Sequence, residues 1–382
     1  MQPLRAAFLL ATAYFAQSVA AQQAEKSLRI VDLHGTPYER GLQHGKELQR
    51  EIGEMVRMFE ADLPKVTGEQ ASTFVPRFLA ATSYDAAVRR LTPGLLDEVR
   101  GIADGSGQSF ATMFAYQLID ELWAQTRSLK QEKCTSLGLA KTGEQPTIVA
   151  QNLDIPTWMQ TYPTLLRIHH CDSHLQSLVV TLPGLIGAMG MNNGKVAVAV
   201  NTILQLAPCR DGLPVAFVVR GILEQRDDAA AREFLLRVKH ASGQAYTIGG
   251  AENVTCHEAS AHQITRFLPK TGAERVWHTN HPVANTDWNP DFVADLAKAN
   301  QKPGAAPFVC SRFAAIEATL TQDAPVDVAR CITMFVDRSQ NVCNRGTYVC
   351  AVMMLGEVPE LRISPGAPDT TPFQTVQFAA AR

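Results

Sequence analysis

A cysteine at position 134 heads the strand-like run Cys134-Thr135-Ser136-Leu137-Gly138-Leu139-Ala140. A turn at Gly143-Glu144-Gln145-Pro146 then joins it to a second apolar run ending Gln151-Asn152-Leu153-Asp154. This arrangement suits a cysteine that cuts the chain before itself and then works as a new N-terminus. Such a residue carries its own base, the α-amine, so no neighbouring histidine is required. Ordinary values of about 8.5 for the pKa of a thiol and about 7.7 for that of an α-amine leave the proton transfer roughly 1 kcal/mol uphill. Taken alone, a cysteine such as Cys134 is more often a buried, inert small hydrophobe than a nucleophile. It is the Thr-Ser that follows and the Asn-Leu-Asp downstream that favour a nucleophile.

Other polar clusters carry competing readings. His278-Thr279-Asn280-His281 offers a histidine for a conventional thiol–imidazole dyad or, equally, a turn. Asp154 reads alone as a strand-end turn former and Arg345 as an ion-pair partner. His169-His170-Cys171-Asp172-Ser173-His174 resembles a metal tract, but adjacent histidines on a strand face opposite ways, so a hairpin tip is the better reading and no metal is assigned. Gly184, Gly187, Gly190 and Gly194 lack the Lys-Ser/Thr of a phosphate loop and fit tight turns and close sheet contacts.

The elements that must position these residues change in period along the chain. Thr36-Pro37-Tyr38-Glu39 is a helix start with a cap, a proline and a returning glutamate, and a long amphipathic helix is expected to about Leu63. Helical pattern continues through Pro76 to Ala81, Asp85 to Ala103 and Phe110 to Ala124, so the stretch before Cys134 reads as almost wholly α. Beyond it come short strands at Leu137 to Ala140, Thr147 to Asp154, Thr164 to His170, Leu178 to Leu182 and Val196 to Thr202. Helices follow from Pro214 to Gln225 and from Asp227 to His240. Four more strands come next, at Gln244 to Ile248, Val254 to Glu258, Gln263 to Phe267 and Arg275 to His278. A helical stretch from Ser311 to Phe335 precedes the last strands, Thr347 to Leu355 and Leu361 to Ser364. Alternating strand and helix blocks imply two stacked sheets with helices on both outer faces.

Composition narrows the class. The 382 residues hold 35 basic and 37 acidic side chains, a balance that names no nucleic-acid or membrane-surface partner. Residues 1–21 read as a signal peptide: Arg5, an apolar core from Ala6 to Ala16, and Val19-Ala20-Ala21 before the cut. That core is too short for a spanning helix of about 20 residues, so a secreted or periplasmic protein with no stable membrane anchor is expected. Export permits disulfides among eight cysteines, with Cys310, Cys331, Cys343 and Cys350 the favoured partners and connectivity open.

The chain resembles the acyl-coenzyme A:isopenicillin N acyltransferase family of N-terminal nucleophile hydrolases. The motifs that carry the resemblance span nearly the whole mature chain: Gly35-Thr36-Pro37-Tyr38-Glu39-Arg40-Gly41 with His44-Gly45, Cys134-Thr135-Ser136, Gln151-Asn152-Leu153-Asp154, Gly187-Ala188-Met189-Gly190-Met191-Asn192, Asn201, His278-Thr279-Asn280-His281 and Arg345-Gly346-Thr347.

The resemblance implies a four-layer αββα sandwich in the α+β class with an α-helical N-terminal segment, made as an inactive precursor. The bond from Lys133 to Cys134 would break, giving an α chain of residues 22–133 and a β chain of residues 134–382 that stay associated. It implies no cofactor and a small N-acyl amide or acyl-peptide substrate. Cys134 would form an acyl-thioester, Asn280 would stabilise the oxyanion, Asp154 would orient the new amino terminus, and Arg345 would lie near the site. Leu153 and Asn344 depart from the acyltransferase pattern, and with Ser136 they are candidates to line the acyl pocket. Hydrolysis is favoured over transfer, because an exported enzyme meets abundant water. A bile-salt-hydrolase or acid-ceramidase type amidase shares the Cys-Thr and Asn-Leu-Asp signals, and a non-catalytic binding protein on the same fold is the alternative of a different class.

Overall fold

A computed structural model describes residues 27–126, 134–171, 173–300 and 310–380. Residues 1–21, expected to be a signal peptide, and Lys133 of the expected cut lie outside the described residues.

The N-terminal segment opens with a strand, β1 (Arg29–Leu33), which sequence periodicity missed, and continues as seven helices: α1 (Pro37–Glu47), α2 (Gln49–Thr67), α3 (Ala71–Ala80), α4 (Tyr84–Leu91), α5 (Pro93–Ser106), α6 (Phe110–Gln117) and α7 (Ile119–Thr126). The start of α1 is the expected capping box, with Thr36 and Glu39 exchanging hydrogen bonds and Pro37 in the first turn. The single long helix expected to Leu63 is two, because Leu48 leaves helical geometry at φ −116° and ψ 25°. The expected helix from Asp85 to Ala103 is likewise broken, at Thr92-Pro93, where proline starts a new helix instead of continuing the old one.

The remaining elements are β2 (Thr135–Leu139), β3 (Ile148–Asp154), β4 (Thr164–His169), β5 (Gln176–Thr181), β6 (Met189–Asn192), β7 (Ala197–Thr202), α8 (Val215–Leu223), α9 (Asp228–Arg237), β8 (Gln244–Gly249), β9 (Val254–Ala259), β10 (Ile264–Phe267), β11 (Arg275–His278), α10 (Pro290–Asn300), α11 (Ser311–Leu320), α12 (Val328–Phe335), β12 (Thr347–Met354), β13 (Glu360–Ser364) and β14 (Gln374–Gln377). They build two sheets, of order β1-β4-β5-β6-β7-β8-β9-β10 and β11-β2-β3-β12-β13-β14. The sheets face each other through β2, β3 and β11 on one side and β7, β8 and β9 on the other. Helices α8 and α9 cover the larger sheet, and α11 and α12 cover the smaller. The architecture is therefore the expected four-layer αββα sandwich. Strands β2, β3 and β12 are buried along their whole length, as strands between two layers must be.

The N-terminal segment is part of this core and not an appendage. Strand β1 pairs in parallel with β4. Glu98 of α5, fully buried, makes a bidentate pair with Arg220 of α8 at 2.6 and 2.9 Å, and Arg40 of α1 lies 3.4 Å from the same carboxylate. His44 of α1 accepts a hydrogen bond from the Gly184 backbone N–H at 3.0 Å, and Gln117 donates to the Gly184 carbonyl while accepting from the Ile186 N–H. A cut before Cys134 would leave these contacts intact, so the two pieces would stay together.

Candidate active site

Strand register brings the candidate residues to one end of the smaller sheet. In the antiparallel pair β2–β3, Thr135 faces Asn152, so Cys134 comes level with the end of β3, and its thiol lies 3.8 Å from the Asp154 carbonyl oxygen. Strand β11 pairs with β2 so that His278 faces Ser136, which brings Asn280, two residues past the strand, beside Cys134. Strand β12 begins with Thr347 opposite Asp154.

Asp154 is clamped from several directions. Thr347 Oγ1 donates to its Oδ1 at 2.7 Å, Asn344 Nδ2 donates to its Oδ2 at 2.6 Å, and the Arg312 guanidinium lies 3.6 Å from Oδ2. Arg312 is only 2% exposed and joins the group together: it donates to the Cys134 carbonyl at 2.8 Å, to Thr135 Oγ1 at 2.6 Å and to Asn280 Oδ1 at 3.1 Å. Asn280 Nδ2 spends one of its two hydrogens on the Thr202 carbonyl at 2.8 Å, which leaves the other for a ligand. Burial pushes the Cys134 thiol up to about 12, with the Asp154 carboxylate adding to the rise. In the uncut chain this sulfur is therefore held neutral.

Several expectations about individual residues change. Arg345 is exposed in the turn before β12, and its carbonyl accepts from Gln160 Nε2 at 3.1 Å; the arginine in contact with Cys134 and Asp154 is Arg312. Asn344 holds the Asp154 carboxylate instead of facing an acyl group. Ser136 points between the sheets, donating to Asn201 Oδ1 at 2.5 Å, and is not on the cavity wall. Leu153 does line the cavity. Of the histidines offered for a dyad, His278 is turned away: its Nδ1 meets the Thr279 carbonyl and its Nε2 meets Glu258 Oε1, both at 2.7 Å.

Two functional residues escaped the sequence reading. Arg312 occupies the first turn of α11, where the helix dipole disfavours a cation, and that misfit was the one available signal. Glu258, on β9 of the opposite sheet, receives His278 Nε2 together with the backbone N–H groups of Val283, Ala284 and Asn285 at 2.6 to 2.9 Å. It thereby fixes the loop that carries Asn280.

No disulfide forms: all eight cysteines are free thiols. Cys343 instead donates to Asp369 at 3.2 Å. The histidine tract divides as the strand period requires, with His170 meeting Ser177 and His169 going to the other face. There His169 joins Asp32 and His34, the three offering ligand atoms within 4.8 Å of one another. The imidazoles are stacked at 4.1 Å and 14°, so their in-plane lone pairs run side by side and do not converge, and Arg167 occupies Asp32 at 3.0 Å. This arrangement is not that of a metal centre.

A cavity of about 70 Å³ opens beside Cys134, bounded by Leu153 of β3 and Ile155 just past its end, Val215 and Val219 of α8, and residues of α7. Two facing sheets between helical layers, with a cysteine opening a central strand and an amide donor beside it, are the arrangement of an N-terminal nucleophile hydrolase fold. Residues 140–350 match the family model described as acyl-coenzyme A:6-aminopenicillanic acid acyl-transferase, and the chain belongs to that family. It is 24% identical over 265 residues to the 40 kDa form of the acyl-coenzyme A:6-aminopenicillanic-acid-acyltransferase of Emericella nidulans, covering 67% of this chain and 70% of that one. It is 29% identical over 110 residues to protein dcd1A of Dictyostelium discoideum, a quarter of each chain. Among solved structures it is similar to a Caenorhabditis elegans N-acylethanolamine-hydrolyzing acid amidase ortholog (TM-score 0.41, 14% identity, 64% of this chain and 100% of that one). A mutant conjugated bile acid hydrolase from Clostridium perfringens gives a TM-score of 0.42 at 12% identity, over 65% of this chain and 93% of that one.

Proposed function

We propose that the protein is a self-processing amidase or acyltransferase that cuts before Cys134 and then carries acyl groups on that sulfur. The observation that carries this reading is the position of Cys134: its thiol lies at the cavity, and its backbone runs into a strand locked by Arg312. In the precursor, attack of the thiol on the Lys133 carbonyl forms a new thioester bond as the peptide C–N bond breaks, and the freed α-amine takes the proton. Water then hydrolyses the thioester, releasing the Lys133 carboxylate and restoring the thiol. In turnover the amine accepts the thiol proton, sulfur attacks the substrate carbonyl, and the free N–H of Asn280 meets the developing oxyanion. The amine returns its proton to the leaving amine, and water or a second amine then resolves the thioester. Asp154, clamped by Thr347, Asn344 and Arg312, would balance the charge of an ammonium at Cys134.

The test is Cys134→Ala beside the unaltered chain, followed by intact mass and N-terminal sequencing. The unaltered protein is expected to give a fragment starting Cys-Thr-Ser and to turn over N-acyl amides; the variant should remain one chain and show no turnover. Catalysis by a chain that is never cut would refute the mechanism. Export is proposed on residues 1–21 alone, and the N-terminal sequence of the α chain in the same experiment tests it: a start at Gln22 supports the reading.

A further inference from the structure

The amide donor beside Cys134 is braced from the N-terminal segment. Asn280 Nδ2 donates to the carbonyl of Thr202, the last residue of β7, at 2.8 Å. That carbonyl belongs to a peptide unit at the end of the ladder, whose N–H, on Ile203, donates to the Gly243 carbonyl at 2.8 Å. The side chain of the same residue supplies a further hold: Thr202 Oγ1 donates to Asp120 Oδ1 at 2.5 Å, and Asp120 is the second residue of α7. Gln244, opposite Thr202 on β8, also donates to the Asp120 carboxyl. Asp120, Thr202 and Asn280 therefore stand in series, and all three reach the wall of the cavity beside Cys134.

Asp120 itself rests on a fixed base. Its neighbour Glu121 is fully buried, and Glu121 Oε1 accepts from the Val215 N–H at 3.0 Å and from Ser242 Oγ at 2.8 Å. Gln117, just before α7, is tied to the Gly184 carbonyl and the Ile186 N–H. The end of the N-terminal segment is thus keyed to the sandwich on either side of Asp120. Enclosing a carboxyl is costly, and what this one supplies is a strong, directed acceptor for a single hydroxyl.

Resting on the acyl-transfer reading of Cys134, we infer that Asp120 is a positioning residue for the reaction: through Thr202 it aims the free N–H of Asn280 at the oxyanion. The α chain then completes the catalytic site of the β chain after the cut. Asp120 acts on the direction of one hydrogen and not on the reacting atoms. A small error in that direction suffices, because a misplacement of about 1 Å at a catalytic group costs up to about a hundredfold in rate. The loss falls on the transition state and not on substrate binding.

The experiment uses the processed two-chain enzyme and the best substrate from a panel of short-chain N-acyl p-nitroanilides, with kcat and KM measured separately. Asp120→Ala is expected to lower kcat by about tenfold with little change in KM. Asp120→Asn, which keeps an oxygen acceptor for Thr202, should recover most of that loss. Thr202→Val removes the hydroxyl and keeps the backbone carbonyl, so it should repeat the effect of Asp120→Ala without altering the α chain. The double variant should be no slower than either single one. On an Asn280→Ala background, Asp120→Ala should bring no further fall in kcat. A residue that only supports the fold would lower kcat by the same factor on both backgrounds, and one that touches the substrate would raise KM and leave Thr202→Val silent. Either of those results, or an unchanged kcat in Asp120→Ala, overturns the positioning role. An uncut chain with undiminished activity, or a cut chain that turns over none of the panel, would instead overturn the acyl-transfer reading, so the two failures are distinguishable.

Discussion

At the scale of single residues, the site is organised around one buried cation. Arg312 touches the carbonyl of Cys134, the side chain of Asn280 and the carboxylate of Asp154, so its planar fork sets the relative positions of these three residues, the proposed nucleophile, oxyanion donor and acid. With Oδ1 of Asn280 held by Arg312 and one Nδ2 hydrogen held by Thr202, the remaining hydrogen has a fixed direction. Such a preorganised donor contributes about 3 kcal/mol to the transition state. Asn280→Ala is accordingly expected to lower kcat by about a hundredfold with a smaller change in KM, measurable by steady-state kinetics on the processed enzyme. Unchanged kcat would show that the oxyanion is stabilised elsewhere. Cys134 and Asp154 were readable from local sequence because each sits beside other polar residues at a strand end. Arg312 was not, because it reaches the site across 178 positions from a helix terminus, a long-range contact that no local pattern encodes.

At the scale of elements, the loop after β11 illustrates how one sheet serves the other. Glu258 belongs to β9 of the larger sheet, yet it gathers three backbone N–H groups and one imidazole from the smaller sheet's loop. Hydrogen bonds to a charged acceptor are each worth roughly 1.5–3 kcal/mol. Replacing Glu258 by Gln removes the charge and turns an N–H₂ toward donors. The loop carrying Asn280 should loosen, lowering kcat more than KM and reducing protection of the Val283, Ala284 and Asn285 amides in hydrogen exchange. Exchange at those amides identical to the parent's would count against the clamp. Helices α1 and α5 show a different kind of dependence, since a Cβ at Gly41 would strike the Glu98 carbonyl and one at Gly101 the Tyr38 carbonyl. Gly101→Ala should force the helices apart and cost about 1–3 kcal/mol in urea unfolding. Most strands and helices were visible in the sequence through period and caps, and the αββα order followed from them. What escaped includes β1, five residues with one exposed alternation, β6, four residues beside glycines, the four-residue β14, helix α10, and the breaks at Leu48 and Thr92 and between α11 and α12.

At the scale of the whole molecule, buried ionisable groups set opposing pH dependences. Burial pushes His44 and His240 down to about 4, and His170 and His257 move the same way. In the unfolded chain a histidine titrates near 6.5, so between about pH 6.5 and 4 the unfolded state binds protons that the folded state refuses. This stability is complete above pH 6.5 and is lost as pH falls, by about 3 kcal/mol for each of the two fully buried histidines as an order of magnitude. Glu121 acts in the opposite sense: burial raises it to about 8, so the folded state keeps a proton that the unfolded state releases above about 4.5. Its contribution is present at acid pH and is lost as pH climbs toward 8. Burial raises Asp120 and Glu224 in the same sense as Glu121; from pH 4.5 to 6.5 the four histidines outweigh these carboxyls and stability rises with pH, whereas from 6.5 to 8 the histidines are silent and Glu121, the carboxyl raised to about 8, makes it fall. Denaturant unfolding at pH 5, 6.5 and 8 is therefore expected to show a maximum near the middle value. Glu121→Gln should flatten the fall on the alkaline side while leaving the acid side in place, and a stability that rises monotonically to pH 8 in the parent protein would contradict the assignment of Glu121 as a buried, protonated acid.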